Sequence, residues 1–101
     1  MRMMVQATFP HAKFNAAVKD GSAGAKLHRI LDELEPEAAY FTDHNGHRSA
    51  VLIIDVADAS KIAVIAEPFF LLFDADCEFH AVMTAEDLGK AGLEALGKKW
   101  G

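Results

Sequence analysis

Glu78 and His80 are the residues whose types and spacing best suit chemistry. They lie two apart in the alternating run Cys77 to Met83, so they project from one face of a strand. A carboxylate beside an imidazole favours the protonated ring, which makes such a pair suited to taking a proton from a bound molecule. If this strand lies beside the N-terminal one, Gln6 and Arg2 join the pair on that face. Tyr40 adds a phenol that can donate to a ligand carbonyl. The expected catalytic pair is His80 and Glu78, and the expected ligand-binding set is Arg2, Gln6, Tyr40 and His80. The competing reading is that these groups bond to one another inside a subunit interface.

His44 and His47 flank Asn45-Gly46 and would form a cross-strand pair within reach of one metal ion. Asp43 and Arg48 alternate to the opposite face, so no carboxylate from the hairpin completes such a site. The tip reads as solvated, and neither a metal nor a cofactor is expected. Cys77 falls on the apolar side of its strand and reads as a small inert hydrophobe. His11 and His28 read as surface residues of helices, and Trp100 as an anchor for the C-terminus.

The elements that must position these residues centre on the stretch from Ala38 to Val56. Asn and Gly tolerate the positive φ of a type I′ turn, and β-rich runs flank them, so the stretch reads as a long hairpin. A two-residue turn pairs His44 with His47, Asp43 with Arg48, Thr42 with Ser49 and Tyr40 with Val51. Arg2 to Phe9 alternates as a half-buried strand ending at Pro10. Helical spacing then begins at His11, breaks near Gly21 with Ser22 as a possible N-cap, and resumes to about Leu34. Ser60 to Phe73 suits a buried helix that Pro68 should kink or split after Ala66. Cys77 to Met83 is the last strand. Thr84 and Asp87 form an Asp variant of the capping box at the start of a glycine-weakened C-terminal helix that should depend on docking.

The order is β-α-β-β-α-β plus a terminal helix: an α+β, ferredoxin-like sandwich with an antiparallel sheet, in one domain over residues 1–101. Met3, Val5, Ala7, Phe9, Phe41, Ala50, Leu52, Ile54, Cys77, Phe79, Ala81 and Met83 should face the helices. The opposite sheet face mixes Arg2, Gln6, Thr42, Ser49, Glu78 and His80 with Met4, Tyr40, Val51, Ile53 and Val82. Apolar side chains gathered where no helix reaches mark an interaction surface. A homodimer through that face, burying about 600–800 Å² per subunit, is expected.

Composition narrows the partners. In 101 residues, 51% are hydrophobic and 25% charged, the balance of a globular domain. A net charge of −5 without a Lys/Arg run speaks against nucleic acid. No apolar run has the length of a membrane span, and the N-terminal residues lack the apolar core of a signal peptide. With a single cysteine, the expectation is a cytoplasmic protein.

The element order and the ending Asp76-Cys77-Glu78-Phe79-His80-…-Met83-Thr84-Ala85-Glu86-Asp87 resemble the dimeric α/β-barrel superfamily, and within it small stand-alone members related to the YCII-like and antibiotic-biosynthesis-monooxygenase-like groups. The resemblance implies two sheets packed face to face in a homodimer, with a small molecule held between sheet and helices or inside the barrel. Three functions compete: a small-molecule-binding homodimer, a cofactor-independent oxygenase- or isomerase-like enzyme using His80 and Glu78, and a structural or regulatory module without a ligand.

Overall fold

The computed structural model describes residues 1–101 and begins with β1 (Arg2–Thr8), an inner strand of a four-stranded antiparallel sheet. Two helices follow, α1 (His11–Asp20) and α2 (Ala23–Leu34), then the hairpin β2 (Ala38–His44) and β3 (His47–Asp55). Next come α3 (Ser60–Phe73) and β4 (Asp76–Ala81), and the chain ends in α4 (Ala85–Gly89) and α5 (Leu93–Trp100). The strand order β2-β3-β1-β4 is that of a ferredoxin-like fold. No helix is long and apolar enough to cross a membrane.

The hairpin carries the register that Asn45-Gly46 implies: His44 faces His47, Asp43 faces Arg48, Thr42 faces Ser49 and Tyr40 faces Val51. Both turn residues have positive φ, 51° and 78°, as a type I′ turn requires. On β1, Met3, Val5 and Ala7 are buried, and Phe9 just beyond it is too. From β3 come Ala50, Leu52 and Ile54. Phe9 is the centre of an aromatic cluster, 5.0 Å from Phe14 of α1 and 5.1 Å from Phe73 of α3 between ring centroids. These edge and tilted contacts add to simple area burial and lock both helices to the end of β1. The hairpin tip is tied to the same place. The Arg48 guanidinium lies 4.6 Å from the Phe14 ring centroid and donates to Asn15 Oδ1 at 2.8 Å.

Five expectations change. α3 runs through Pro68 as one helix. The carbonyl that loses its intrahelical partner belongs to Val64, a residue at an exposed position. Ser22 sits in helical conformation without a side-chain cap bond, and its N–H donates instead to the Asp20 carboxylate at 2.8 Å. Phe41 is exposed, because β2 is an edge strand and α2 only partly overhangs it. Ala81 and Met83 are exposed where β4 runs out beyond the helices, leaving only Cys77 and Phe79 half-buried there.

The single terminal helix is in fact two, separated at Gly92, whose φ is 72°. The capping box at Thr84 forms as read. Thr84 Oγ1 accepts from the Asp87 N–H and the Asp87 carboxylate accepts from the Thr84 N–H, both at 3.0 Å. Those bonds hold the Asp87 carboxyl below its ordinary pKa.

The turn gives the first prediction. A Cβ at Gly46 would meet open space, so any cost of Gly46→Val comes from backbone conformation alone. The expected loss is more than about 1 kcal/mol in urea unfolding. An unchanged midpoint would contradict the turn assignment.

Candidate functional site

Strand pairing arranges the helix-free face of the sheet in rows. One row runs Thr42, Ser49, Thr8, Asp76; the next runs Tyr40, Val51, Gln6, Glu78; a third runs Ala38, Ile53, Met4, His80. His44 and His47 form a further row at the hairpin tip, and Arg2 stands opposite Asp55 at the other end. The face is therefore polar towards the hairpin tip and apolar in the row of Ile53 and Met4. Polar groups at the tip end are partly paired already. Ser49, only 1% exposed, accepts from Gln6 Nε2 at 3.3 Å.

The polar end is hollow because β1 stops. After Thr8, which pairs with Asp76 at the start of β4, the chain passes Pro10 and turns into α1, so only β3 runs on, to His47, and a gap opens between it and the first residue of β4. Two strand spacings separate β3 from β4, about 10 Å, which suits a small molecule. The gap is a hollow of about 450 Å³ lined by Thr8, Pro10, His44, His47, Asp76 and Glu78, together with Asn45. No hydrophobic side chain lines it. One wall carries two carboxylates, the other two imidazoles.

The imidazole wall is held from behind. The His11 ring, at the start of α1, stacks on the His47 ring at 4.2 Å between centroids. The Asn45 carbonyl lies 3.2 Å from His47 Nδ1, and the Asn45 amide 3.3 Å from His44 Nε2. No three His, Cys, Asp or Glu side chains approach closely enough to share one ion. What the hollow offers instead is hydrogen bonding of both senses: carboxylates accept from hydroxyl or amino groups, and imidazoles meet either a donor or an acceptor.

The residues singled out from the sequence are distributed unevenly over this face. Glu78 stands opposite Gln6, and His80 is the next residue on the same face of β4, exposed beside Met4. Those three are neighbours. Tyr40, 64% exposed, lies on β2, three strand spacings from β4, or about 14 Å. Within one chain it stands apart from His80. Arg2 has another partner: its Nε is 3.0 Å from both carboxylate oxygens of Glu37, with Asp87 and Asp55 adding to the negative field around it. The Glu37 hydrogen bond and charge raise the Arg2 pKa above its ordinary value.

Thr8, Asp76 and His11 are the participants that sequence reasoning missed. Thr8 shares the parity of Gln6, and Asp76 that of Glu78, so alternation carried the signal for both. Beginning the last strand at Cys77 leaves Asp76, the second carboxylate, just outside it. Nothing local marks His11, because its stacking on His47 spans the fold.

Cys77 is half-buried between the two hollow-lining acids of β4 but points to the helix side. Burial, and then the Asp76 charge, push its thiol up to about 11. Against the ordinary value of 9.0, this should slow alkylation of the folded chain at pH 8 by about a hundredfold relative to the urea-unfolded chain. Equal iodoacetamide rates would contradict the placement.

No family model and no curated protein matches the chain. Among solved structures it is similar to 5-chloro-2-hydroxyhydroquinone dehydrochlorinase (TftG) from Burkholderia phenoliruptrix AC1100, in complex with 2,5-dihydroxybenzoquinone. The TM-score is 0.63 at 14% sequence identity, covering 86% of this chain and 98% of that one. A likeness at this identity shows a shared fold.

Proposed function

We propose that the chain is a homodimeric small-molecule-binding domain of the dimeric α/β-barrel type, with its ligand at the hairpin-tip end of the sheet's free face. The observation that carries this reading is the division of that face. Apolar side chains gather around Met4, Val51, Ile53 and Val82, none of them fully covered within the chain. At the other end lies the 450 Å³ hollow with acids on one wall and imidazoles on the other. An apolar area on a sheet suits a second copy of the same face, and a concave polar end suits a ligand. The dehydrochlorinase of similar fold, solved with 2,5-dihydroxybenzoquinone, makes a compact polyhydroxylated or amino-substituted ring a reasonable first class to try.

In this reading Asp76 and Glu78 accept from ligand hydroxyl or amino groups, while Thr8, His44 and His47 meet its remaining polar atoms. Gln6 braces the base of the hollow through Ser49. His80 stands at the rim beside Glu78, so a ligand reaching along β4 would meet it next. Arg2 is engaged within its own chain by Glu37, and Tyr40, an exposed aromatic, suits the subunit interface rather than the ligand.

An NMR screen of small polyhydroxylated and amino-substituted compounds tests the site. Hits should shift the amides of Thr8, His44, His47, Asp76 and Glu78. Asp76→Asn should weaken them by about tenfold, the cost of losing a charge-assisted hydrogen bond. Hits that move only α2 and α3 resonances would overturn the site. Unchanged binding by His80→Ala would remove that residue from it.

A further inference from the structure

The hollow at the hairpin-tip end keeps its acidic and its basic groups on opposite sides. Asp76 and Glu78 stand on β4, while His44 and His47 stand across the gap on β2 and β3. No lysine or arginine lines it. None of the chain's five ion pairs includes Asp76 or Glu78. The basic side chains closest to the hollow in sequence are engaged elsewhere. Lys13, in the first turn of α1, is held by Asp74 at 3.4 Å, and Arg48, next to His47, is turned to Asn15 and the Phe14 ring. The two carboxylates are therefore left without a counter-ion from their own chain.

The imidazole side gains further positive character from α1. Pro10, which lines the hollow, is the N-cap of that helix and offers it no side-chain bond, and the first turn holds no acidic residue. His11 opens the helix and stacks on His47, so the positive end of the peptide dipoles lies behind the imidazoles with no carboxylate to offset it. An imidazole donates from its ring N–H when neutral and carries a full charge when protonated, a change that falls near neutral pH. On the other side, Asp76 and Glu78 are two residues, or about 7 Å, apart on one strand face. That is close enough for both to converge on one ammonium group.

We propose that the ligand of the hollow is a compact zwitterion, an amine and a carboxylate joined by a short skeleton. The proposal rests on the reading of the hollow as a ligand site and narrows the chemistry that enters it. The ammonium lies between Asp76 and Glu78, and the acid accepts from the ring N–H groups of His44 and His47. A simple amine would leave the imidazole side without an acceptor, and a simple acid would face two carboxylates with one end unmatched. The walls also set the length. Side chains on β3 and β4 start about 10 Å apart, and His47 lies two residues past the row of Asp76, which adds to that distance. After the side chains and a hydrogen bond of about 3 Å at each end, a skeleton of three or four carbons spans what is left.

The test titrates the full chain with 4-aminobutyrate, butylamine and butyrate at matched ionic strength and slightly below neutral pH, read by amide NMR shifts. 4-Aminobutyrate should move His44 and His47 together with Asp76 and Glu78. It should bind at least about tenfold tighter than either single-ended analogue, the worth of one charge-assisted hydrogen bond. Asp76→Asn with Glu78→Gln should lower its affinity to that of butyrate for the unchanged chain; both positions are exposed, so the core is undisturbed. His44→Gln with His47→Gln should lower it to that of butylamine. Equal binding of the three compounds, or a 4-aminobutyrate affinity indifferent to either pair of changes, would overturn the proposal. Neutral polyhydroxylated compounds that shift the same amides where 4-aminobutyrate does not would overturn the zwitterion and leave the ligand site standing. A hollow that neither class perturbs would overturn both.

Discussion

Since β1 is paired on both sides, its alternation decides what every neighbouring strand presents. A slip of one residue would exchange buried Met3, Val5 and Ala7 for Met4, Gln6 and Thr8. An amide and a hydroxyl would then enter a space filled by Phe9, Phe69 and Phe73, where neither finds a partner. The register is therefore held from the helix side by apolar packing, and the free face inherits whatever alternates with it. Gln6 opposite Glu78, Thr8 opposite Asp76 and Met4 opposite His80 all follow from that one choice.

The end of β1 matters as much as its register. Phe9 still faces the core and packs on Phe14 and Phe73, but Pro10 cannot extend the ladder and the chain leaves the sheet. β4 begins at Asp76, level with Thr8, so only β3 continues past the end of β1, as far as His47, and the space left beyond Thr8 becomes the hollow. The hairpin tip keeps its place there because Arg48 reaches Phe14 and Asn15 on one side of the sheet, while His47 stacks on His11 on the other. A polar hollow thus rests on an apolar cluster directly behind it.

Much of this architecture was legible in the chain, for identifiable reasons. Asn45-Gly46 between β-rich runs gave the hairpin and all its cross-strand pairs, since turn type and side-chain period together leave one register. Alternation likewise brought Gln6, Glu78 and His80 to one face. Long-range placement was less legible. The Arg2–Glu37 pair depends on where β2 begins, and the separation of Tyr40 from His80 depends on counting strands across the whole sheet. Pro68 removes a donor without splitting α3, and the Val64 carbonyl it leaves without an intrahelical partner belongs to an exposed residue. The two C-terminal helices followed their local signals, the Thr84 cap and the glycines, but no local signal says that a helix will pack on nothing in its own chain.

In the function proposed above, the free face divides two tasks along its length: association at the apolar end and ligand access at the hairpin-tip end. Solvent paramagnetic relaxation, measured on amide and methyl protons across a series of protein concentrations, reads that division residue by residue. Met4, Val51, Ile53 and Val82 are expected to be shielded from a soluble paramagnetic probe, while Thr8, His44, His47, Asp76 and Glu78 stay accessible. Uniform accessibility over all nine positions, or shielding confined to the hairpin-tip end, would contradict the account.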